Sequence, residues 1–241
     1  MSVSEPVARV ETLIRNAREK GLVRVTTRVT ARAVLRGAVA GRFPSPRLGG
    51  SRLVPWFAPP QRPVLRAENV RLEKPLRRHL RREGWQVSVN EAFDQVVTGC
   101  ADRAITWLTP EVRQVYRELH RQGHAYSVEV WDPEGRLIGG SFGVQVGGMF
   151  GSDSMFHTVS HAAKAAAIDL AHRVRAAGGV GVDWQCISQH GLDLGVEVLD
   201  RRTFLALLRS AQGGAVPRLA TERMPASRLV EPPLYGVPAR D

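Results

Sequence analysis

Apolar and polar side chains alternate in two neighbouring segments at the middle of the chain, Tyr126–Trp131 and Leu137–Val144. The residues between them, Asp132–Gly135, include a proline and a glycine, which tight turns favour. Alternation on both sides of such a turn predicts a β-hairpin. Similar patterns predict further strands at Val23–Val29, Val64–Leu72, Trp85–Val89 and Val180–Ile187.

Other segments repeat their apolar residues every three or four positions, which is the period of a helix packed on a core. The clearest begins at Thr109-Pro110, carries Val112, Tyr116 and Leu119 on one face, and is ended by Gly123. The same criterion predicts helices over Val7–Lys20, through Val34-Leu35, over Pro75–Arg82, from a cap at Asn90 to Val97, over Ser160–Ala177 and over Arg201–Leu208.

The predicted elements mix helices with hairpin-linked strands, which is typical of an α+β fold with a largely antiparallel sheet. Between Phe43 and Pro63 the chain is rich in proline and glycine, so we predict a loop or linker there. We place a domain boundary within it, between a small basic N-terminal domain at 1–58 and a larger domain at 59–241. The proline-rich tail from Gln212 predicts little regular structure.

Composition argues against several classes of protein. Hydrophobic residues make up 43% of the 241-residue chain, but no run approaches about 18 consecutive apolar residues. The N-terminus lacks a charged segment followed by an apolar one, so we expect neither a secretory signal nor a membrane partner. Because Cys100 and Cys186 lack metal-ligand spacing, we expect a cytoplasmic protein with reduced thiols and no metal.

The formal net charge of +11 is concentrated near the N-terminus. Residues 1–55 carry a net +8 and residues 61–90 a net +5, whereas the chain from Glu91 onward carries −2. This asymmetry favours a polyanionic partner, with nucleic acid as the leading candidate. The alternative is a coding bias, because 31 of the 34 basic residues are arginine.

Two acids stand out as candidates for binding or catalysis. Asp153 lies between two Met-Phe pairs, where a carboxylate needs a cation or hydrogen-bond donors, although it could instead cap the following helix. Asp183 and Gln185 are two residues apart on a predicted strand, so we expect their side chains on one face. On spacing alone, the simpler interpretation of that pair is an acid and an amide satisfied at a strand end.

A cluster of cations marks the predicted helix at residues 75–82. Arginines there are spaced by one, three and four residues, so they cover one broad side of the helix. Few acids lie nearby, which favours phosphate binding over a merely solvated surface. The cluster consists of Lys74, Arg77, Arg78, Arg81 and Arg82.

An ordered set of short motifs resembles one known family. The set runs through Trp56–Leu65, Asn90–Phe93, Gly99–Ala101, Thr106–Thr109, Gly123-His124, Ser127–Trp131, Gly139-Gly140, Ser154–Phe156, Lys164, Asp183–Gln185 and Arg201-Arg202. It is similar to the leucyl/phenylalanyl-tRNA–protein transferases over about residues 53–209. The resemblance implies an acetyltransferase-like (GNAT) catalytic domain that follows a small N-terminal domain. It also implies transfer of Leu or Phe, less often Met, from aminoacyl-tRNA to proteins that begin with Arg or Lys.

That activity would mark its acceptor proteins for degradation, and it implies no metal or diffusible cofactor and a monomeric enzyme. By the same resemblance, Asp183 and Gln185 orient or deprotonate the attacking amine, and Asp153 meets the positive acceptor terminus, where the family usually has Glu. The donor side chain would enter a pocket shaped by Phe150, Met155, Phe156, Leu170 and Val182.

The resemblance also assigns the aromatic and basic residues. Trp107 and Tyr116 would line the substrate cleft and stack on the terminal adenine, although core packing is an equal alternative for both. The cations Lys74, Arg77, Arg78, Arg81 and Arg82 would contact tRNA.

Some positions depart from the family pattern. Ala38 and Ser45 stand where a Tyr and a Trp are usual, Val174 replaces an expected Phe, and Ser188 replaces an Asn. Donor-adenosine binding and pocket size are the properties that these changes would alter. Two rival hypotheses are an acyl-CoA-dependent N-acetyltransferase and a tRNA-binding relative that has lost transfer activity.

Overall fold

The computed structural model describes residues 19–45, 53–104 and 106–231, so the helix predicted at Val7–Lys20 lies almost wholly outside the described residues. In chain order the elements are β1 (Leu22–Thr26), α1 (Ala31–Val39), β2 (Phe43–Pro44), β3 (Val54–Phe57), β4 (Gln61–Leu65), α2 (Lys74–Arg82), β5 (Gln86–Val89), α3 (Phe93–Ala101), α4 (Pro110–Arg121), β6 (Ala125–Trp131), β7 (Leu137–Val146), β8 (Met149–Gly151), β9 (Ser154–His157), α5 (Ala162–Ala176), β10 (Gly181–Asp183), α6 (Gln189–Leu194), β11 (Glu197–Asp200), α7 (Arg201–Gln212) and β12 (Met224–Pro225). Short 3₁₀ helices cover Ala67–Asn69 and Ala226–Val230.

The described strands form two sheets. A small antiparallel sheet has the order β1-β3-β2. A larger sheet has the order β11-β4-β10-β8-β7-β6-β5-β12, and β9 pairs with β7 beside this path. Its neighbouring strands are antiparallel except for β8 and β10, which run parallel. The predicted α+β class with a mixed, mostly antiparallel sheet is therefore confirmed.

Helices cover both faces of the larger sheet. On one face α5 and α2 enclose a core that also contains Phe150, Val182 and Leu229. On the other face α1, α3, α4 and α7 pack around Tyr116 and Phe142. Because the sheet is covered on both sides, the polar side chains that remain buried in its centre must be hydrogen-bonded or paired.

Local sequence signals explain the elements that were predicted most closely. The hydroxyl of Thr109 accepts the N–H of Val112 at 3.4 Å and caps α4, with proline at the first helical position. Hairpin strands β6 and β7 pair from Ala125 to Trp131. Helix α5 approaches the sheet closely at Gly139 of β7, where an added Cβ would lie 2.6 Å from that of Ala162.

The structure overturns three local predictions. The strand predicted at Val64–Leu72 is wrong beyond Leu65, because β4 ends there and a 3₁₀ helix follows at Ala67–Asn69. The proline-rich segment 43–63 is not simply a loop, because β3 and most of β4 lie within it. Asn90 does not cap a helix, since its backbone has φ 61° and its side chain accepts the N–H of Ser127 at 3.0 Å. Helix α3 therefore begins later, at Phe93.

The tail is also more ordered than predicted. Strand β12 pairs with β5, and the following 3₁₀ helix buries Leu229, which is 1% exposed. The N–H of Ala226 bonds the carbonyl of Trp85 at 2.8 Å, so the tail closes the core beside α2. Among the described residues, none of the helices combines the length and apolar character needed to cross a membrane.

Candidate active site

A cleft of about 860 Å³ opens at the meeting point of the two sheets. One wall comes from the end of β2, at Phe43 to Ser45, and others from β9 and from Trp184 to Ser188. Trp107 and Arg103, which lie before α4, also line it. This volume is large enough for a nucleoside or a few amino-acid residues.

The floor of the cleft is polar. Asp153 and Gln185 line the cleft and also a smaller internal cavity of about 30 Å³, which has room for roughly one water molecule. Asp183, Arg62 and Tyr116 line that internal cavity as well. The three polar residues predicted from the sequence, Asp153, Asp183 and Gln185, are therefore brought together.

Arg62 holds Asp183 through a paired ionic contact. Its Nε and Nη2 donate to the two carboxylate oxygens of Asp183, each at 2.7 Å. Arg62 is 2% exposed, and its guanidinium lies 4.7 Å from the ring of Phe43 and 4.8 Å from that of Phe204. Such a two-point contact, held between rings, fixes the carboxylate in one orientation.

No motif in the sequence assigned Arg62 a role. Its partner is 121 residues away along the chain, so no local pattern links the two. One signal was available, because Arg62 directly precedes Pro63-Val64-Leu65, the buried part of its strand. A lone arginine in a buried strand indicates a buried acid as its partner.

The expectation that Asp183 and Gln185 share one face of a strand is wrong. Strand β10 ends at Asp183, and the backbone of Gln185 adopts the left-handed region with φ 62°. The N–H of Gln185 donates to Oδ1 of Asp183 at 3.0 Å, which stabilises this turn. The turn, rather than strand alternation, directs the Gln185 side chain to Asp153, where its amide donates to Oδ1.

Asp153 sits at the centre of this network. Its Oδ2 accepts the hydroxyl of Tyr116 at 2.9 Å, and its backbone N–H donates to the carbonyl of Phe142 at 2.9 Å. It does not cap the next helix, which begins at Ala162. Enclosure of the carboxyl raises the pKa of Asp153 to about 7, although the donors Tyr116 and Gln185 and the charge of Arg62 oppose this rise.

Burial and the nearby Asp153 carboxylate raise the pKa of Tyr116 well above its ordinary value. The phenol therefore stays protonated and remains a hydrogen-bond donor at all physiological pH values. Its ring is fully buried and meets Trp107 edge to face, with centroids 5.7 Å apart. Of the two predicted cleft aromatics, Trp107 lines the cleft, while Tyr116 lies beneath it and supports Asp153.

The five predicted donor-pocket residues fall in two places. Met155 and Phe156 line the cleft, and Phe156 packs so closely on α3 that a Cβ at Gly99 would lie 2.7 Å from its ring. Phe150, Leu170 and Val182 are at most 1% exposed and form part of the core between the sheet and α5. Met155 packs against that same core, so it connects the two groups.

Helix α2 carries the predicted basic surface. Leu76 and Leu80 are buried, while Lys74, Arg77, Arg78, Arg81 and Arg82 are all exposed. His79 of α2 lies 4.8 Å from His161, ring to ring, next to the start of α5. Because Ala163 of α5 lines the cleft, the basic helix adjoins the α5 side of the cleft.

Comparison with known proteins shows that the chain is a transferase, and it also identifies the family. The family model described as leucyl/phenylalanyl-tRNA protein transferase matches residues 64–209. Proteins with the name leucyl/phenylalanyl-tRNA–protein transferase are also similar over long stretches. The one from Shewanella baltica (strain OS185) is 38% identical over 165 residues, which cover 67% of this chain and 69% of the relative.

Two other relatives with the same name agree with this result. The one from Ruegeria pomeroyi is 39% identical over 182 residues, covering 76% of this chain and 86% of the relative. The one from Salinibacter ruber is 41% identical over 152 residues, covering 63% and 67% respectively. The chain therefore belongs to the leucyl/phenylalanyl-tRNA protein transferase family, and the matched region includes Asp153, Asp183 and Gln185.

Proposed function

We propose that this chain transfers Leu or Phe, and less often Met, from aminoacyl-tRNA to the N-terminal Arg or Lys of proteins, which marks them for degradation. The observation that carries the proposal is the pairing of Asp153 with Gln185 at the floor of a large cleft, where both also share a small cavity with the Arg62–Asp183 contact. Family membership supports the same activity.

The proposal also covers fold and setting. A GNAT-like catalytic domain at 59–241 would follow a small basic domain at 1–58. The separate β1-β3-β2 sheet supports this division, because its described strands all precede residue 58. We place the enzyme in the cytoplasm, where charged tRNA occurs, as a monomer.

The acceptor terminus would bind at Asp153. The carboxylate is enclosed on the protein side by Tyr116 and Gln185 and faces the cleft on the other. An incoming Arg or Lys terminus would supply the cation that this enclosed carboxylate lacks, and in a low-dielectric setting such a pair is strong. Asp is one methylene shorter than the usual Glu, so the acceptor would sit correspondingly deeper.

The chemistry requires little beyond positioning. The α-amine attacks the ester carbonyl carbon, the new C–N bond forms, the bond from carbonyl carbon to the ribose oxygen breaks, and that oxygen takes a proton while the amine loses one. With an unperturbed pKa near 8, about a tenth of the amine is already neutral at pH 7. Holding the two reactants together can therefore supply most of the acceleration.

Asp183 would position rather than deprotonate. Both of its oxygens already accept charged hydrogen bonds from Arg62, so they are occupied by that side chain rather than turned to the amine. Its role in this proposal is to fix the turn at Gln185, whose amide oxygen then accepts a hydrogen bond from the attacking amine. This assignment of the amide atoms follows from the donation of its NH₂ to Asp153.

The donor end would occupy the other part of the cleft. Met155 adapts to branched and unbranched apolar groups, and Phe156 provides a flat apolar surface beside it. The buried residues Phe150, Leu170 and Val182 would shape the pocket from behind or open to admit the side chain. Trp107 would stack on the terminal adenine, and the cations of α2 would hold the acceptor stem.

One assay tests this proposal against its rivals. Purified protein is incubated with labelled Leu-tRNA or Phe-tRNA and a peptide that begins with Arg, and separately with labelled acetyl-CoA. A matched peptide that begins with Glu is the control. We expect label on the Arg peptide from tRNA only. Label only from acetyl-CoA would favour an N-acetyltransferase, and salt-sensitive tRNA binding without product would favour a relative that has lost transfer.

A further inference from the structure

A second concave surface lies in the N-terminal part of the chain, away from α2. It is a pocket of about 420 Å³ between β1, the segment that follows it, and α1. Threonine hydroxyls and the ring of Trp56 form part of its lining, and the rest is dominated by arginine. The arginines are Arg24, Arg28, Arg32, Arg36 and Arg42.

The charge of this arginine pocket is unbalanced. None of the residues that line it is acidic, and all five arginines are exposed. Within the part of the chain that the structure describes, none of the five guanidiniums forms an ion pair. By contrast, some exposed arginines elsewhere, such as Arg121 and Arg136, contact a carboxylate. Five like charges around one hollow repel one another until an anion neutralises them.

The arrangement of the arginines suits phosphate groups. Arg32 and Arg36 are four residues apart and so lie on one face of α1. The positive end of the α1 helix dipole lies at the pocket, because Thr30, which caps the first turn of α1, is one of the lining residues. Several guanidinium forks around one space can bind phosphate oxygens in pairs.

The pocket adjoins the active site. Arg42 lines both the arginine pocket and the internal cavity that contains Asp183. The next residue, Phe43, forms a wall of the cleft. Helix α2 adjoins the cleft on its α5 side, so the arginine pocket and α2 approach the cleft from different walls.

We infer that the arginine pocket binds backbone phosphates of the donor tRNA, as a second contact in addition to α2. This inference rests on the proposed function, since it takes the tRNA 3′ end to lie in the cleft. It gives a role to five of the eleven basic residues before residue 55, which α2 does not explain. The pocket also lies wholly before residue 64, where the family match begins, so the match assigns it no role.

Salt dependence of tRNA binding tests the inference. Binding of a labelled, unacylated leucine tRNA transcript is measured by fluorescence anisotropy between about 50 and 200 mM salt, for wild type and for Arg24→Gln/Arg28→Gln/Arg32→Gln. Each lost phosphate contact lowers the slope of log K against log salt by roughly 0.7–0.9. We expect the slope to fall by about 2 and the affinity to fall on the order of tenfold.

Two control variants separate a specific site from general charge. Arg121→Gln/Arg136→Gln/Arg175→Gln removes three charges from the ends of α4 and α5 and from the hairpin turn, and should keep the wild-type slope. Arg24→Lys/Arg28→Lys/Arg32→Lys keeps the charge and should restore most of the slope, which shows that the glutamine variant is not merely misfolded.

The possible outcomes distinguish failure of this inference from failure of the proposed function. Equal slopes for the pocket and control variants would overturn the inference while leaving the proposed function intact. A second outcome would also overturn the inference: the wild type binds inorganic tripolyphosphate tightly, and Arg24→Gln/Arg28→Gln/Arg32→Gln loses that binding but keeps the wild-type salt dependence of tRNA binding. The pocket would then be a site for a free phosphate ligand. Absence of aminoacyl transfer by the wild-type protein would instead contradict the proposed function.

Discussion

Replacing Arg62 with methionine would remove both hydrogen bonds that hold the Asp183 carboxylate, while keeping most of the apolar stem. The two bonds are 2.7 Å long, and Arg62 is 2% exposed, so water cannot easily replace the guanidinium. Leaving one buried charge without its partner costs about 3–5 kcal/mol. The contacts with the rings of Phe43 and Phe204 are lost as well, so we expect the upper part of that range.

The assay is urea unfolding, with the free energy of unfolding taken by linear extrapolation for wild type, Arg62→Met, Asp183→Asn and the double variant. Because the residues form one buried unit, the double variant should lose at least about 2 kcal/mol less than the sum of the single variants. Arg136→Met is the matched control, since Arg136 also pairs with an aspartate but its side chain is 73% exposed. Its unfolding midpoint should barely change.

Two results would refute this reasoning. A loss below about 1 kcal/mol for Arg62→Met would mean that the pair is not buried as the structure shows. Additivity of the two single losses within roughly 0.5 kcal/mol would mean that Arg62 and Asp183 act independently. Transfer activity of Arg62→Met should fall even at a low temperature at which the variant stays folded. The reason is that Asp183, which anchors Gln185, is no longer held in place.

Two further predictions concern Asp153 and α2. Tyr116→Phe removes a hydrogen-bond donor that lowers the pKa of Asp153. The midpoint of the pH profile of kcat/KM for an Arg peptide should therefore move upward from about 7, by roughly one unit. An unchanged or lower midpoint would contradict this. Replacing Arg77, Arg78 and Arg81 of α2 with glutamine should weaken tRNA binding and reduce the slope of log K against log salt by about 2 in anisotropy titrations. An unchanged slope would mean that α2 does not contact tRNA phosphates.

Elements with strong local signals could be predicted from the sequence. The hairpin of β6 and β7 follows from alternation around a Pro-Gly turn, and α4 follows from Thr109, Pro110 and a regular apolar face. These features depend on residues within one turn or one strand. The hairpin and α4 can therefore be predicted without knowledge of the rest of the chain.

The site was only partly predictable because its geometry depends on distant contacts. Asp153 was recognisable as an acid among apolar residues, but its donor Tyr116 is 37 residues away. The left-handed turn at Gln185 exists because Asp183 is fixed by Arg62, and no pattern near residue 185 indicates it. The start of β4 in the proline-rich segment was missed because its pairing partners, β10 and β11, are also far along the chain.

The central claim is that Asp153 receives a cationic acceptor terminus next to the aminoacyl ester. The most direct test compares kcat/KM for Leu transfer to two peptides that differ only in an N-terminal Arg or its neutral analogue citrulline, at a pH near 8, where the Asp153 carboxyl is ionised. Wild type should favour Arg by on the order of tenfold or more, and Asp153→Asn should reduce that preference to near one while tRNA affinity is unchanged. An undiminished preference for Arg in Asp153→Asn would contradict the account.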